Sequence, residues 1–361
     1  MMRLPWRGRS VPHATLDILR GCNCRCRDCY NADVKLVAKP LERVKNEFLM
    51  LRKLRNLTTV TLSGGDPLLH PEICEIVRFL AEEGKVTPCT LSNGIAFTDE
   101  SADRLHAAGL RLIALHIQEG QVRPDIEGRT FDELRREKGR IARAHGIFPA
   151  TVATIAAADA AGFAALAEFF RSAPEYDYAL VTVAQKFGEL RSDRAQDDVC
   201  VGPMLAAMRA KGFVPAAFVG GRIDRAKPRW YIFQSSQALD AQGRERAWNE
   251  VRPGLLERLA LGIAARVFHR SFYWVRSTSA RQKLHLLLNG LTGGRLSTFV
   301  FALNAIVRGW TLKEKHVIVQ LPPHSLGDGR IEFCDGCPDA TIRNGHLNPL
   351  CLGDIPEEVL V

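Results

Sequence analysis

Four cysteines crowd into the stretch RGCNCRCRDCY, at Cys22, Cys24, Cys26 and Cys29. The spacing Cys22-x3-Cys26-x2-Cys29 puts three thiolates on one short loop. Closely spaced thiolates are the usual holders of iron–sulfur clusters. A [4Fe–4S] cluster held by only three of them keeps one iron open, where a small molecule can chelate and accept an electron. Zinc is the other chemistry, because C-x-C and C-x2-C pairs also close tetrahedral sites, with Cys24 then available as a fourth ligand. Arg20, Arg25 and Arg27 flank the loop and would offset thiolate charge. A second set, Cys334-x2-Cys337-x13-Cys351, lies in the tail FCDGCPDATIRNGHLNPLC. Asn344-Gly345 in that tail predicts a tight turn between two short strands. Its fourth ligand is open among Cys200, His346, a substrate or none, and zinc again competes with an iron–sulfur cluster. The isolated Cys74 and Cys89 read as buried apolar residues.

The elements that must position these groups alternate regularly. Strands are predicted at 14–20, 57–63, 86–92, 110–118, 147–155 and 176–185, with helices at 42–56, 70–84, 98–109, 131–146 and 160–173. Such alternation gives right-handed βαβ units and a parallel sheet. No GxGxxG follows the first strand, so a dinucleotide-binding Rossmann fold lacks its fingerprint. An open or partial (β/α) barrel fits, and its chemistry gathers at the C-terminal ends of the strands. The cysteine loop occupies that end of the first strand, and SGGDP that of the second.

Cys22, Cys26, Cys29 and the adjoining aromatic Tyr30, placed after the first strand of a (β/α) series, resemble the signature of the radical S-adenosylmethionine (SAM) enzymes. The resemblance implies a partial (β/α)6 TIM-like barrel, with a [4Fe–4S] cluster on those three cysteines and Cys24 outside the ligand set. SAM would chelate the open iron and be cleaved reductively to a 5′-deoxyadenosyl radical that abstracts a substrate hydrogen atom. Ser63, Gly64, Gly65, Asp66 and Pro67 are similar to the family's glycine-rich element, which usually has Glu at the position of Asp66. That element would pair its backbone with the methionine end of SAM. Ser92 and Asn93 at the third strand end, and His116 and Gln118 at the fourth, would reach the ribose or carboxylate. His116 and Gln118 depart from the commoner Ser-x-Asp pattern; Thr151 and Thr154 on the fifth strand are weaker candidates. The tail resembles the opening of the SPASM and twitch extensions, in truncated form, and implies a second, auxiliary [4Fe–4S] cluster on Cys334, Cys337 and Cys351. The general acid or base remains unassigned.

The chain has 361 residues, 46% hydrophobic and 25% charged, which excludes a disordered chain and a disulfide miniprotein. Three regions are expected: 1–190, the radical SAM core; 191–325, basic and mainly helical; and 326–361, the cysteine-bearing extension. From Arg252 to Arg308 there are nine Lys or Arg against one acid, Glu257, so this stretch carries nearly all of the net +9. Solvated helix faces, an anionic membrane surface and a pocket for an acidic substrate all match that pattern. Aromatics do not interleave with the charges, so nucleic acid is not an expected partner. The N-terminus shows no apolar signal core, which predicts a cytoplasmic protein, with a peripheral membrane position left open. Expected partners are SAM, an unidentified substrate (a peptide, an anionic metabolite or a lipid-like molecule) and an electron donor such as a flavodoxin or ferredoxin. Two other readings remain: a zinc-stabilised binding protein without catalysis, and an iron–sulfur electron carrier.

Overall fold

The computed structural model describes residues 1–26, 29, 34–184, 200–271, 278–293, 295–326 and 330–352. The six expected strands all form: β1 (His13–Arg20), β2 (Thr59–Gly64), β3 (Thr87–Ser92), β4 (Leu112–His116), β5 (Phe148–Ile155) and β6 (Tyr178–Val183). They lie side by side and parallel in chain order. Between them run α1 (Leu41–Leu54), α2 (Ile73–Arg78), α3 (Asp99–Ala108), α4 (Phe131–Ala144) and α5 (Ala160–Ser172). Thr98 and Thr130 cap α3 and α4 by accepting from the backbone N–H three residues on. The helix expected over 70–84 is shorter: α2 ends at Arg78 and the chain continues as one wide π turn over Phe79–Glu83. That turn leaves Phe79 and Leu80 buried, with the Phe79 ring edge-on to Phe48 of α1.

The region expected to be mainly helical does hold helices: α6 (Gly202–Ala210), α7 (Leu255–Val267), α8 (Ser279–Thr292) and α9 (Leu296–Val307). The runs FVPAAFVG and RWYIFQSS, strand-like in the sequence, form β7 (Pro215–Gly220) and β8 (Pro228–Leu239), and β9 (Glu245–Glu250) and β10 (Thr311–Gln320) extend the sheet beyond what the sequence suggests. β10 adds parallel to β6; β8 pairs antiparallel to β10, and β7 and β9 pair antiparallel to β8. The physical reason that β10 joins the sheet is the edge of β6, whose backbone groups it pairs in parallel register. Lys315 on β10 is buried, and its Nζ donates to the carbonyls of Phe170, Ala173 and Tyr176 at the end of α5.

The sheet is open, with β1 near one end and β7 near the other. The N-terminal segment and the tail meet across the gap: Arg7 pairs with Asp335, and a Cβ on Gly336 would strike the Trp6 carbonyl. The tail forms the expected hairpin, β11 (Ala340–Arg343) against β12 (His346–Pro349). Its turn places Asn344 at φ 49° and Gly345 at φ 85°, the two positive angles of a tight type I′ turn. β11 packs against β1 and α1. The main apolar core lies between the sheet and its covering helices, including Leu16, Val60, Phe48, Phe163 and Phe170.

Candidate active site

The site begins where β1 ends. Gly21 turns the chain at φ 86°, and Cys22, Cys24 and Cys26 follow. Arg25–Cys26 pairs antiparallel with Gln121–Val122, so the loop is tied to the segment just beyond β4. The Cys22 sulfur accepts from the Cys24 backbone N–H (3.4 Å) and from Asn93 Nδ2 (3.3 Å). Cys24 is buried, with its sulfur 3.9 Å from the Cys26 sulfur and 3.7 Å from the Val122 carbonyl, and contact with Cys26 and burial push its proton affinity up. Cys26 moves the other way, to a pKa of about 7, through contact with Cys24, against burial, with further help from Gln121 and Arg123. The Cys29 N–H donates to the Cys26 carbonyl at 3.4 Å. Tyr30 and Arg27 lie outside the described residues.

The glycine element of β2 lies against this loop. Gly64 sits at φ 138°, and a Cβ there would come 2.0 Å from the Leu19 carbonyl oxygen. A Cβ on Gly65 would come 1.7 Å from the Gly21 carbonyl oxygen. Only glycine lets β2 approach the root of the cysteine loop so closely. Pro67 is buried and opens a 3₁₀ turn that Asp66 caps by accepting from Leu68 N–H. Asp66 is fully buried; its carboxylate also accepts from Ser92 Oγ at 2.9–3.0 Å and from Asn93 N–H at 2.9 Å. Burial nonetheless raises its pKa to about 6. Asp66 and Ser92 are thus locked together, and between them they set the position of Asn93. The Asn93 amide donates to Asn23 as well as to Cys22, and its Oδ1 accepts from Ile95 N–H.

His116 ends β4, in step with Leu112 and Ala114, and Gln118 lies two residues beyond the strand. Gln118 Oε1 accepts from Thr154 N–H at 2.6 Å, and His116 Nε2 lies 3.4 Å from Thr154 Oγ1. Burial lowers the His116 pKa to about 4, so its ring is neutral at pH 7. Thr151 is buried, and its hydroxyl has no hydrogen-bond partner among the described residues.

Two residues carry more of the site than the sequence suggested. Arg123 is buried; it donates to the Asn93 carbonyl (3.0 Å) and Gln121 Oε1 (2.8 Å) and is paired with Asp125. Arg20 and Arg25, the flanking cations expected to offset the thiolates, are exposed. The signal for Arg123 was absent because it lies some hundred residues downstream, brought in by the pairing of Gln121–Val122 with the loop. Arg55 plays the corresponding part for the tail. Buried after α1, it donates to the carbonyls of His13 (2.7 Å), Cys337 (2.7 Å) and Pro338 (3.2 Å).

Cys334 and Cys337 are buried at that point, and Cys351 packs with Ile331, Phe333 and Leu352. The Cys337 thiol is held well above its ordinary pKa by contact with Cys334 and by burial. Cys200 and His346 are both exposed. Cys74 is half-buried on α2, and Cys89 is buried with its pKa pushed up to about 12. Among the described residues, no three His, Cys, Asp or Glu side chains already converge around a single metal position. The donor chemistry still fits a cluster at the first loop: its Cys22 sulfur accepts two N–H groups, a buried guanidinium stands behind it, and the glycine turn packs against the root of the loop with no side chain between.

The two cysteine sets bracket the barrel. Cys22 follows the C-terminal end of β1, whereas Arg55 ties Cys337 to His13 at its N-terminal end. Eight residues of strand at ~3.3 Å each separate the two ends by roughly 20–25 Å. Between them the inner face of the sheet encloses a cavity of about 400 Å³, lined by Thr15, Thr61, Leu91, Tyr178, Trp230 and Ile318 among others. Asp339 reaches its lower end, accepting from Gln320 Nε2 and lying 3.6 Å from His13 Nε2.

Residues 16–157 match the family model described as the Radical SAM superfamily. Among curated proteins, a GTP 3′,8-cyclase of Microcystis aeruginosa is 33% identical over 142 residues, covering 36% of this chain and 40% of that protein. A GTP 3′,8-cyclase of Chlorobaculum tepidum is 33% identical over 105 residues, 28% of this chain and 32% of its own. The chain therefore matches less than half the length of these relatives. Among solved structures, Streptococcus suis SuiB bound to S-adenosylmethionine superposes with a TM-score of 0.40 at 17% identity, covering 56% of this chain and 46% of that one.

Proposed function

We propose, from the premise that residues 16–157 are a radical SAM domain, that this protein is an enzyme that cleaves SAM reductively and acts on a substrate lodged in the barrel. The observation that carries the reading is the meeting of the Cys22–Cys29 loop, the Gly64–Gly65 turn and the Asn93 amide at the C-terminal ends of β1, β2 and β3. Cys22, Cys26 and Cys29 would hold a [4Fe–4S] cluster, which would supply the electron for reductive cleavage of bound SAM. The chain's own part is to hold, orient and enclose. Asn93 and the Cys24 N–H fix the Cys22 sulfur, and Arg123 offsets negative charge behind the loop. The backbone of the Gly64–Pro67 turn pairs with the methionine end of SAM, and His116, Gln118 and Thr154 meet its nucleoside end. Ser92 and Asp66 act through Asn93. Cys334, Cys337 and Cys351 would hold a second cluster at the opposite end, with Arg55 balancing its charge. Electrons come from a flavodoxin- or ferredoxin-type donor.

The names of the curated relatives raise GTP as a substrate. The cavity argues for a different one. Its described lining contains no Lys or Arg and is largely Leu, Ile, Trp, Tyr and Thr. A triphosphate needs guanidinium or ammonium partners once it leaves water. We therefore assign a mostly apolar, lipid-like substrate, whose few polar groups meet His13, His316, Gln320 and Asp339.

The test is anaerobic purification, iron and sulfide analysis, and reduction with dithionite in the presence of SAM. The expected result is a brown protein that yields 5′-deoxyadenosine. Cys26→Ala abolishes the product, Cys24→Ala retains it, and GTP is not consumed. A colourless zinc protein, or an iron protein that never releases 5′-deoxyadenosine, overturns the reading. Consumption of GTP overturns the substrate assignment alone.

A further inference from the structure

The three basic helices carry apolar residues on the wrong side. On α7, Leu255, Leu259, Ile263 and Val267 follow one another at four-residue spacing, on one face of the helix. Leu284, Leu288 and Leu291 recur at three- and four-residue spacing on α8, as do Leu296, Val300, Leu303 and Val307 on α9. These side chains are between 44% and 76% exposed. Each helix also has a buried stripe, for example Leu261, Ala264 and Ala265 on α7 and Phe301, Ala302 and Ala305 on α9, so the outward leucines are not needed for the fold. Three neighbouring helices with two apolar faces each are far from the scattered single apolar residues of an ordinary surface.

Charge decides what covers them. Arg258, Arg266, Arg270, Arg281 and Arg308 are exposed on the same segment. Its single acid, Glu257, is already engaged by Asn289 and by His285. Beside the end of α7, a cavity of about 400 Å³ is lined by Arg3, Arg7, Arg225, Arg266 and His269. Asp335 is the only carboxylate in its described lining, and Arg7 and Arg225 share it at 3.3 and 3.2 Å, so that lining carries a net positive charge. A second copy of this chain would bring the same cations face to face, which an isologous contact does not tolerate without acids to match. Helices that pair an apolar stripe with arginines fit the headgroup boundary of an anionic bilayer. No described helix is long and apolar enough to cross one.

We propose that α7–α9 form a membrane-docking face, which lies in the surface of an anionic phospholipid bilayer and receives a phosphate group in the arginine-lined cavity. This orients the molecule on the membrane whatever reaction the barrel performs.

The experiment is flotation of the anaerobically purified full chain with vesicles of phosphatidylcholine alone or doped with phosphatidylglycerol. Binding is expected to the doped vesicles and to fall at high salt. Leu259→Glu with Ile263→Glu should abolish it. Arg258→Glu and Arg266→Glu should each weaken it about fivefold or more. All these residues except Arg266 lie away from the cavity, and unchanged iron content and thermal midpoint verify the fold. Equal binding to uncharged vesicles, or binding untouched by the Leu259 and Ile263 changes, overturns the proposal. So does self-association that depends on Leu259 without vesicle binding, which would assign the face to a second copy. Release by inorganic phosphate at matched ionic strength would assign the cavity to a soluble anion.

Discussion

Arg123 has no conformational freedom to spare. Its guanidinium is spent on Asp125, Gln121 and the Asn93 carbonyl, and each of those partners faces the cysteine loop or supports something that does. Replacing it with Met keeps the stem but leaves the buried Asn93 carbonyl and the Gln121 amide oxygen without their donor, while the half-buried Asp125 turns to water. A buried acceptor left unsatisfied costs roughly 1–3 kcal/mol. Arg123→Met should therefore lower the thermal midpoint and the iron content together, measured by calorimetry and iron analysis on one preparation. His116 gives a residue-level prediction in pH. Its folded pKa of about 4 lies below the ordinary 6.5 because burial disfavours the charged ring. The stability tied to its neutral form is therefore complete above pH 6.5 and is lost as pH falls toward 4. Across that window the thermal midpoint of His116→Gln, which cannot titrate, should fall less than that of the parent.

At the scale of elements, the Gly64–Gly65 turn sets how closely β2 can approach β1. Gly65→Ala would drive a methyl group into the Gly21 carbonyl, a backbone contact that cannot move without displacing the cysteine loop. The expected outcome is loss of the first cluster and of 5′-deoxyadenosine formation, with the far-UV spectrum retained. The same spacing rules made β1–β6 and their helices readable, because buried parallel strands are apolar runs and the helices between them are amphipathic. The capping threonines and the Asn344-Gly345 turn were equally plain, since each acts within a few residues. β10 was hidden because it begins TLKEKH, whose charges read as surface. Lys315 is buried there only because the end of α5 offers it three carbonyls, a partner 140 residues away in the chain. Arg55 and Arg123 were illegible for the same reason. A cation's burial depends on which distant carbonyls the fold brings to it.

For the whole molecule, the decisive feature is that the two cysteine sets lie at opposite ends of β1 with the cavity between them. The first set depends on β1–β4 and the Gln121–Val122 pairing; the second depends on Arg55, the β11–β12 hairpin and the Cys334–Gly221 bridge to the far edge of the sheet. No hydrogen bond among those described joins Cys22 or Cys26 to the tail, so the two should load separately. Cys334→Ala with Cys337→Ala should remove about half of the iron if each set holds a four-iron cluster, yet leave dithionite-driven 5′-deoxyadenosine formation within a few fold of the parent. Arg55→Ala should act more broadly. It leaves the carbonyls of His13, Cys337 and Pro338 buried without their donor, at about 1–3 kcal/mol each, and frees the tail from the lower end of the barrel. The tail iron should then be lost together with several degrees of thermal midpoint, whereas the cysteine pair loses only the iron. Tail variants that also abolished SAM cleavage would mean that the two ends are one catalytic unit, coupled through the cavity rather than merely facing across it.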